Sequence, residues 1–203
     1  MKTTRLEAFS DGVFAIAITL LIIEVKVPEV ESGALWHALR DQWSSYAGFV
    51  VSFLVIGVIW VNHHTMFDTI VKADEKLLFL NLILLMVVAF IPFPTALLAH
   101  YLEAGHDAHV AAYVYSATML AMGLAYTAVW AYAMRTKGIV TDRLDSRARR
   151  VLLNRSLLGC VIYAVSFGAA AIGAELALAF HAVVALLFVL SPRPQVAEEG
   201  LAG

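Results

Sequence analysis

Six apolar runs follow one another along the chain, separated by short stretches where charged residues, glycines and prolines collect. They cover about 8–27, 43–65, 77–98, 110–134, 151–172 and 176–190. A helix rises about 1.5 Å per residue, so about 20 apolar residues cross a hydrocarbon core of roughly 30 Å. The pattern predicts an all-α integral membrane protein of six transmembrane helices, one domain over residues 1–203. Between the first two runs, ALWHALRDQW alternates apolar and polar positions, as an interfacial helical turn would. The third run holds IPFPT, whose prolines end or kink a helix. Lipid tolerates that only where neighbours satisfy the freed carbonyls. The fourth, rich in Ala, Tyr and Gly, suits close helix packing. Residues 191–203, with Pro192 and Pro194, predict a short disordered tail.

Composition agrees with the pattern. Hydrophobic residues make up 61% of the 203 positions, against roughly 45–50% in soluble domains, so lipid must solvate most of the surface. The net charge of −2 says nothing about partners, but its distribution does. Grouped by loop, Lys2, Arg5, Lys72, Lys76, Arg135, Lys137, Arg143, Arg147, Arg149, Arg150, Arg155 and Arg193 share one side, leaving Lys26 and Arg40 for the other. The positive-inside rule then predicts that both termini are cytoplasmic. Lys2 and Arg5 before an apolar run invite a signal-peptide reading. Asp11 interrupts that run, and it ends in Glu24, Lys26 and Pro28 without a small-residue cleavage site, so an uncleaved first helix is expected. Cys160 is the lone cysteine, which precludes an intrachain disulfide.

Candidate chemistry is sparse. The basic stretch RTKGIVTDRLDSRARR is broken by Asp142 and Asp145 and reads as the largest cytoplasmic loop, not a nucleic-acid surface. His100, His106 and His109 flank a flexible Gly loop with one nearby carboxylate, so no metal site is expected, nor any cofactor. No P-loop, GxSxG elbow, HExxH pair or arginine ladder occurs, and an enzyme is not expected.

The first helix is different. An ionisable residue inside a membrane span is a functional hypothesis by default, and Asp11 is one, with Ser10 beside it and Arg5 before it. At about 100° per residue, Arg5, Phe9, Gly12, Ile16, Thr19, Leu20, Ile23 and Val27 form one stripe. Asp11, Ala15, Ile18 and Ile22 form another. If the first stripe lined a pathway, Asp11 would point sideways as a brace. A hidden carboxylate needs donors, so Arg5, Ser10 and Asp11 are expected in a buried polar network. Trp60, Asn62 or His64, in the polar knot WVNHHTMF ending the second run, are partners at matching depth. Ile16 is expected as the hydrophobic constriction, with Leu20 and Ile23 extending the apolar surface.

The string Arg5-x-x-x-Phe9-Ser10-Asp11, opening the first helix of a small six-helix protein, resembles the signature of the endolysosomal potassium channel family, transmembrane protein 175, in its bacterial branch. The resemblance covers most of the chain in layout and the first two helices in motif. It implies a potassium-selective or weakly selective cation channel, a homotetramer in a bacterial plasma membrane, with a pore formed by oligomerisation around the first helix. It also implies a constriction at the isoleucine five residues after the motif's aspartate, Ile16, and a threonine layer contributing to selectivity, carried over to Thr19. The filter sequence TVGYG is missing, so selection must work otherwise. Two other classes stay open: a secondary carrier of a cation or small solute using Asp11, and a non-transporting membrane scaffold or enzyme.

Overall fold

The computed structural model describes residues 3–142 and 144–190. Its helices are α1 Thr4–Leu20, α2 Leu35–Asp41, α3 Trp43–Thr69, α4 Glu75–Phe90, α5 Pro92–Tyr101, α6 His106–Arg135, α7 Ser146–Ile172 and α8 Ala174–Leu190. A 3-10 turn, Leu21–Glu24, carries α1 outward before the chain leaves it. Five helical stretches are long and apolar enough to cross a membrane: Thr4–Glu24, Trp43–Thr69, Glu75–Tyr101, His106–Arg135 and Ser146–Ile172. The sixth apolar helix, α8, has 17 residues. The expected tail, 191–203, lies outside the described residues.

Local chemistry sets the boundaries. Asp74 caps α4 by accepting the Leu77 amide at 2.9 Å, and Asp145 caps α7 through Ala148 at 2.7 Å. Each side chain thereby satisfies an amide that the first helical turn leaves orphaned. The helix of the third apolar run breaks at Ile91, because Pro92, first residue of α5, has no amide hydrogen to continue α4. A polar cluster covers this break: Thr95 donates to the Ile91 carbonyl at 2.8 Å, and Ser52 bridges Thr95 at 2.7 Å and the Tyr115 hydroxyl at 2.9 Å. ALWHALRDQW supplies α2, a short helix without a buried residue.

At the end of the bundle where α1 begins, the α3–α4 and α6–α7 loops pair. The Val71 amide donates to the Ile139 carbonyl at 2.8 Å and the Thr141 amide to the Thr69 carbonyl at 3.0 Å. Ile70, Ala73, Ile139, Val140 and Leu144 are buried there as an apolar plug. Gly138, with φ of 77°, makes the turn, a conformation open to glycine at little cost.

Candidate functional site

Helix α1 buries Leu6, Ser10, Phe14 and Ala17, and Leu21 prolongs the row. Spacings of three and four put them on one face, which packs on α3 and α4. Among lipid tails that are as apolar as leucine, such packing supplies contact but little selectivity for one neighbour over another. Polar groups supply that. Ser10 is fully buried. Its hydroxyl donates to the Leu6 carbonyl at 2.8 Å, so its oxygen is left to accept the Asn81 amide of α4, at 3.0 Å. With Nδ2 of Asn81 turned to Ser10, Oδ1 faces His63 Nε2 of α3 at 2.8 Å. A carbonyl oxygen only accepts, so His63 carries its proton on Nε2. The chain of donors thus runs His63, Asn81, Ser10, ends on the Leu6 carbonyl as acceptor and ties three helices together. Phe14 and Phe67 flank the imidazole, with centroids at 5.3 and 4.5 Å.

Asp11 is not in this chain. One residue on from Ser10, it is turned about 100° and is exposed on the flank of α1, where the Trp60 indole donates to it at 2.9 Å. Trp60 in turn stacks on His64. The expected single buried network of Arg5, Ser10 and Asp11 does not form within the protomer. Ser10 faces the core, whereas Arg5 and Asp11 are exposed in the protomer, and Arg5 has no hydrogen bond or ion pair among the described residues. Asn62 and His64 do not reach Ser10 or Asp11. The Asn62 carbonyl accepts from the Tyr126 hydroxyl at 3.1 Å, and His64 is exposed.

Sequence reasoning passed over Asn81 and, having both histidines of the polar knot in view, chose His64 over His63. Both left a signal. Asn81 is the one amide within KLLFLNLILL, and His63, not His64, continues the buried row Val55, Ile59, His63 along α3.

The face of α1 opposite its core contacts is bare. Phe9, Gly12, Ile16, Thr19 and Leu20 are all exposed, Ile16 to 61%, and so are Ile23 on the 3-10 turn and Val27, which lies beyond the helix and so leaves the expected helical stripe. Thr19 lies within reach of the Ala15 and Ile16 carbonyls, both at 2.9 Å. Its hydrogen is committed to its own helix, so the oxygen turns lone pairs outward, the polarity a cation requires. Isoleucine and valine at such exposure are costly in water and idle in lipid unless another surface covers them. At the far end of the bundle, His109 Nδ1 donates to the Ala170 carbonyl at 2.7 Å, and His100 and His106 are exposed. No group of three or more metal-ligating side chains occurs among the described residues.

The family model described as endosomal/lysosomal potassium channel TMEM175 matches residues 5–92, from α1 to the proline break. A potassium channel of Streptomyces collinus is 50% identical over 99% of this chain and 98% of its own. One from Chamaesiphon minutus is 40% identical over 93% of this chain and 94% of its own. The fold matches the crystal structure of a lysosomal potassium-selective channel TMEM175 homolog from Chamaesiphon minutus. The TM-score is 0.83 at 41% identity, covering 93% of this chain and 96% of that one.

Proposed function

The chain belongs to the TMEM175 potassium-channel family, a class of ion channels and not of enzymes, and we propose that it conducts potassium across a bacterial plasma membrane. The observation that carries the reading is the bare face of α1. One protomer anchors α1 by its Ser10 face and leaves the Ile16 face without a neighbour, so it encloses no conduit by itself. A closed ring of protomers with these faces inward does, and closed symmetry is the rule for such assemblies. The ring is a tetramer, and potassium ions and the bilayer are its partners.

In this arrangement Ile16 is the constriction, with Leu20 and Ile23 prolonging an apolar wall. A cation stripped of water meets no oxygen ligands there, and such rings gate by dewetting. Thr19, about 60° round from Ile16 by helical period, offers the lone pairs just described, so a modest rotation of α1 exchanges an aliphatic lining for a hydroxyl one and supports cation selectivity. Ser10 and Asp11 hold the helix in place: Ser10 through Asn81 and His63, Asp11 through Trp60. That tie supports Asp11 as a brace more than as the coupling site of a carrier.

Each protomer spans the membrane six times as one domain, the break at Pro92 lying inside the third span and the 17-residue α8 serving as the sixth. Both termini are cytoplasmic, since the α1 end of the bundle gathers most of the basic residues.

The test is single-channel current from purified protein in a planar bilayer under a potassium gradient. Ohmic unitary steps are expected, and flux that saturates without steps would favour a carrier. Ile16→Asn should hydrate the constriction and raise conductance or leak. Unchanged currents from an Ile16→Asn protein that still assembles and conducts would reject Ile16 as the constriction.

A further inference from the structure

A second polar site lies away from α1. Helices α3, α6, α7 and α8 enclose a cavity of about 90 Å³, toward the end of the bundle where α7 begins. We propose that this cavity receives the phosphate headgroup of one anionic phospholipid per protomer, held by Arg155 and Asn62, with its acyl tails in the surrounding bilayer.

The assignment rests on which donors are already used. Tyr126 gives its hydroxyl hydrogen to the Asn62 carbonyl and accepts from Trp130 Nε1 at 2.9 Å. Ser156 gives its hydrogen to the Leu153 carbonyl, and Thr65 to that of Val61. Besides the Tyr163 hydroxyl, the unspent donors on the wall are the Asn62 side-chain amide and the Arg155 guanidinium. Neither makes a hydrogen bond or ion pair through its side chain among the described residues, and no carboxylate lines the cavity.

Arg155 stands apart from the other basic residues of its helix. Arg147 and Arg150, in the first turn and a half of α7, are exposed to water, and Arg149, half-buried like Arg155, spends its guanidinium on the Leu144 and Met134 carbonyls. Arg155 lies about 13 Å beyond the helix start at 1.5 Å per residue and is half-buried. A guanidinium withdrawn from water without a counterion is expensive, so the cavity favours an anion over a neutral guest. Its fork of donors fits phosphate oxygens two at a time. Val58, Ile59, Leu152 and Phe188 make the rest of the wall apolar, which suits an amphiphile better than a hydrated free anion. The volume is below the roughly 150 Å³ that admits a benzene ring, so it takes only phosphate oxygens and leaves the glycerol and the tails outside.

Gly159 lines the same cavity, and a Cβ there meets nothing within 4 Å. Gly159→Leu therefore fills the space without a clash at the first carbon, leaving Arg155 in place.

Native mass spectrometry of the full chain in detergent tests the proposal, with dioleoylphosphatidylglycerol, dioleoylphosphatidylcholine and inorganic phosphate as probes. The readout is binding, so it is independent of conduction. One phosphatidylglycerol per protomer should be retained in preference to phosphatidylcholine, and millimolar phosphate should not displace it. Arg155→Gln should weaken that binding about tenfold to a hundredfold, the scale of a lost charge-assisted contact. Arg150→Gln, on the same helix but outside the cavity, should not. Gly159→Leu should abolish the preference, and it carries the test should Arg155→Gln fail to fold. Equal phosphatidylglycerol binding by Gly159→Leu or folded Arg155→Gln would overturn the proposal. So would displacement by inorganic phosphate, which would make a free anion the ligand.

Discussion

Replacing Asn81 with alanine should be the most damaging single change to the anchorage of α1. The substitution removes two hydrogen bonds, to Ser10 at 3.0 Å and to His63 at 2.8 Å. Between membrane helices such bonds contribute about 0.6 kcal/mol each on average and at most about 1.7. The bonds alone are therefore worth about 1 kcal/mol. The larger cost comes from what remains. His63 is buried against Phe14 and Phe67, and its Nε2 hydrogen would face no acceptor, adding about 1–3 kcal/mol. The sum for Asn81→Ala is about 2–4 kcal/mol.

By the same accounting Ser10→Ala, which loses one bond and orphans a buried Asn81 amide hydrogen, should cost about 2–3 kcal/mol, below Asn81→Ala by about one interhelical bond. The Leu6 carbonyl keeps its helical bond, Asn81 keeps His63, and a single amide hydrogen loses its acceptor. Replacing both polar partners, as in His63→Phe with Asn81→Leu, should recover much of the loss, because no donor is then left unpaired. The measurement is unfolding in mixed micelles with increasing SDS, followed by helical circular dichroism. A Ser10→Ala penalty equal to or above that of Asn81→Ala would refute the order of donors from His63 through Asn81 to Ser10.

Gly123 packs so closely on α7 that a Cβ would lie 3.2 Å from the Tyr163 ring and 3.5 Å from Cys160 Sγ, so Gly123→Val should lower the SDS midpoint, whereas Gly159→Ala should leave it in place. The Tyr132 hydroxyl, at 2.6 Å, and then the Leu77 amide hold the Asp74 carboxyl below its ordinary value of 3.8. That stabilisation is fully present above the ordinary value and is lost as pH falls through the lower folded one. Acid titration should thus loosen the start of α4, seen as faster amide exchange there, and Asp74→Asn should remove most of this pH dependence. A cysteine replacing His106, which begins α6 at the end opposite the basic loops, should react with an impermeant thiol reagent on intact cells. Reaction only after lysis would invert the topology.

What the sequence discloses depends on whether a property is local or tertiary. The two faces of α1 follow from the helical period alone, so the Ile16 row is legible as a unit before any neighbour is known. The break at Pro92 and the caps at Asp74 and Asp145 are also local, each set by a residue's own donors and acceptors. Hydropathy reads the depth of lipid and not the length of helix. That is why α3 runs about one turn past residue 65 and α7 starts about a turn before residue 151. Phe67 to Thr69 and Ser146 to Arg150 are helical but polar enough to leave the hydrocarbon. The anchor is harder to read, since Ser10, His63 and Asn81 come from three helices, and depth matching cannot tell His63 from His64. Rotation does: the buried serine on α1 meets Asn81 on the inward side of α4, and Asn81 in turn reaches only the inward side of α3, where His63 lies. Asp11 parts from Ser10 for the same reason, since neighbours in sequence diverge by about 100° on a helix and Asp11 turns to Trp60 instead. The same two directions divide the labour of α1. The Ser10 side is spent on holding the helix in its protomer, and this is what leaves the Ile16 side free to face other copies. A mutation in either row should therefore separate assembly from conduction, a distinction that residue identity alone does not draw.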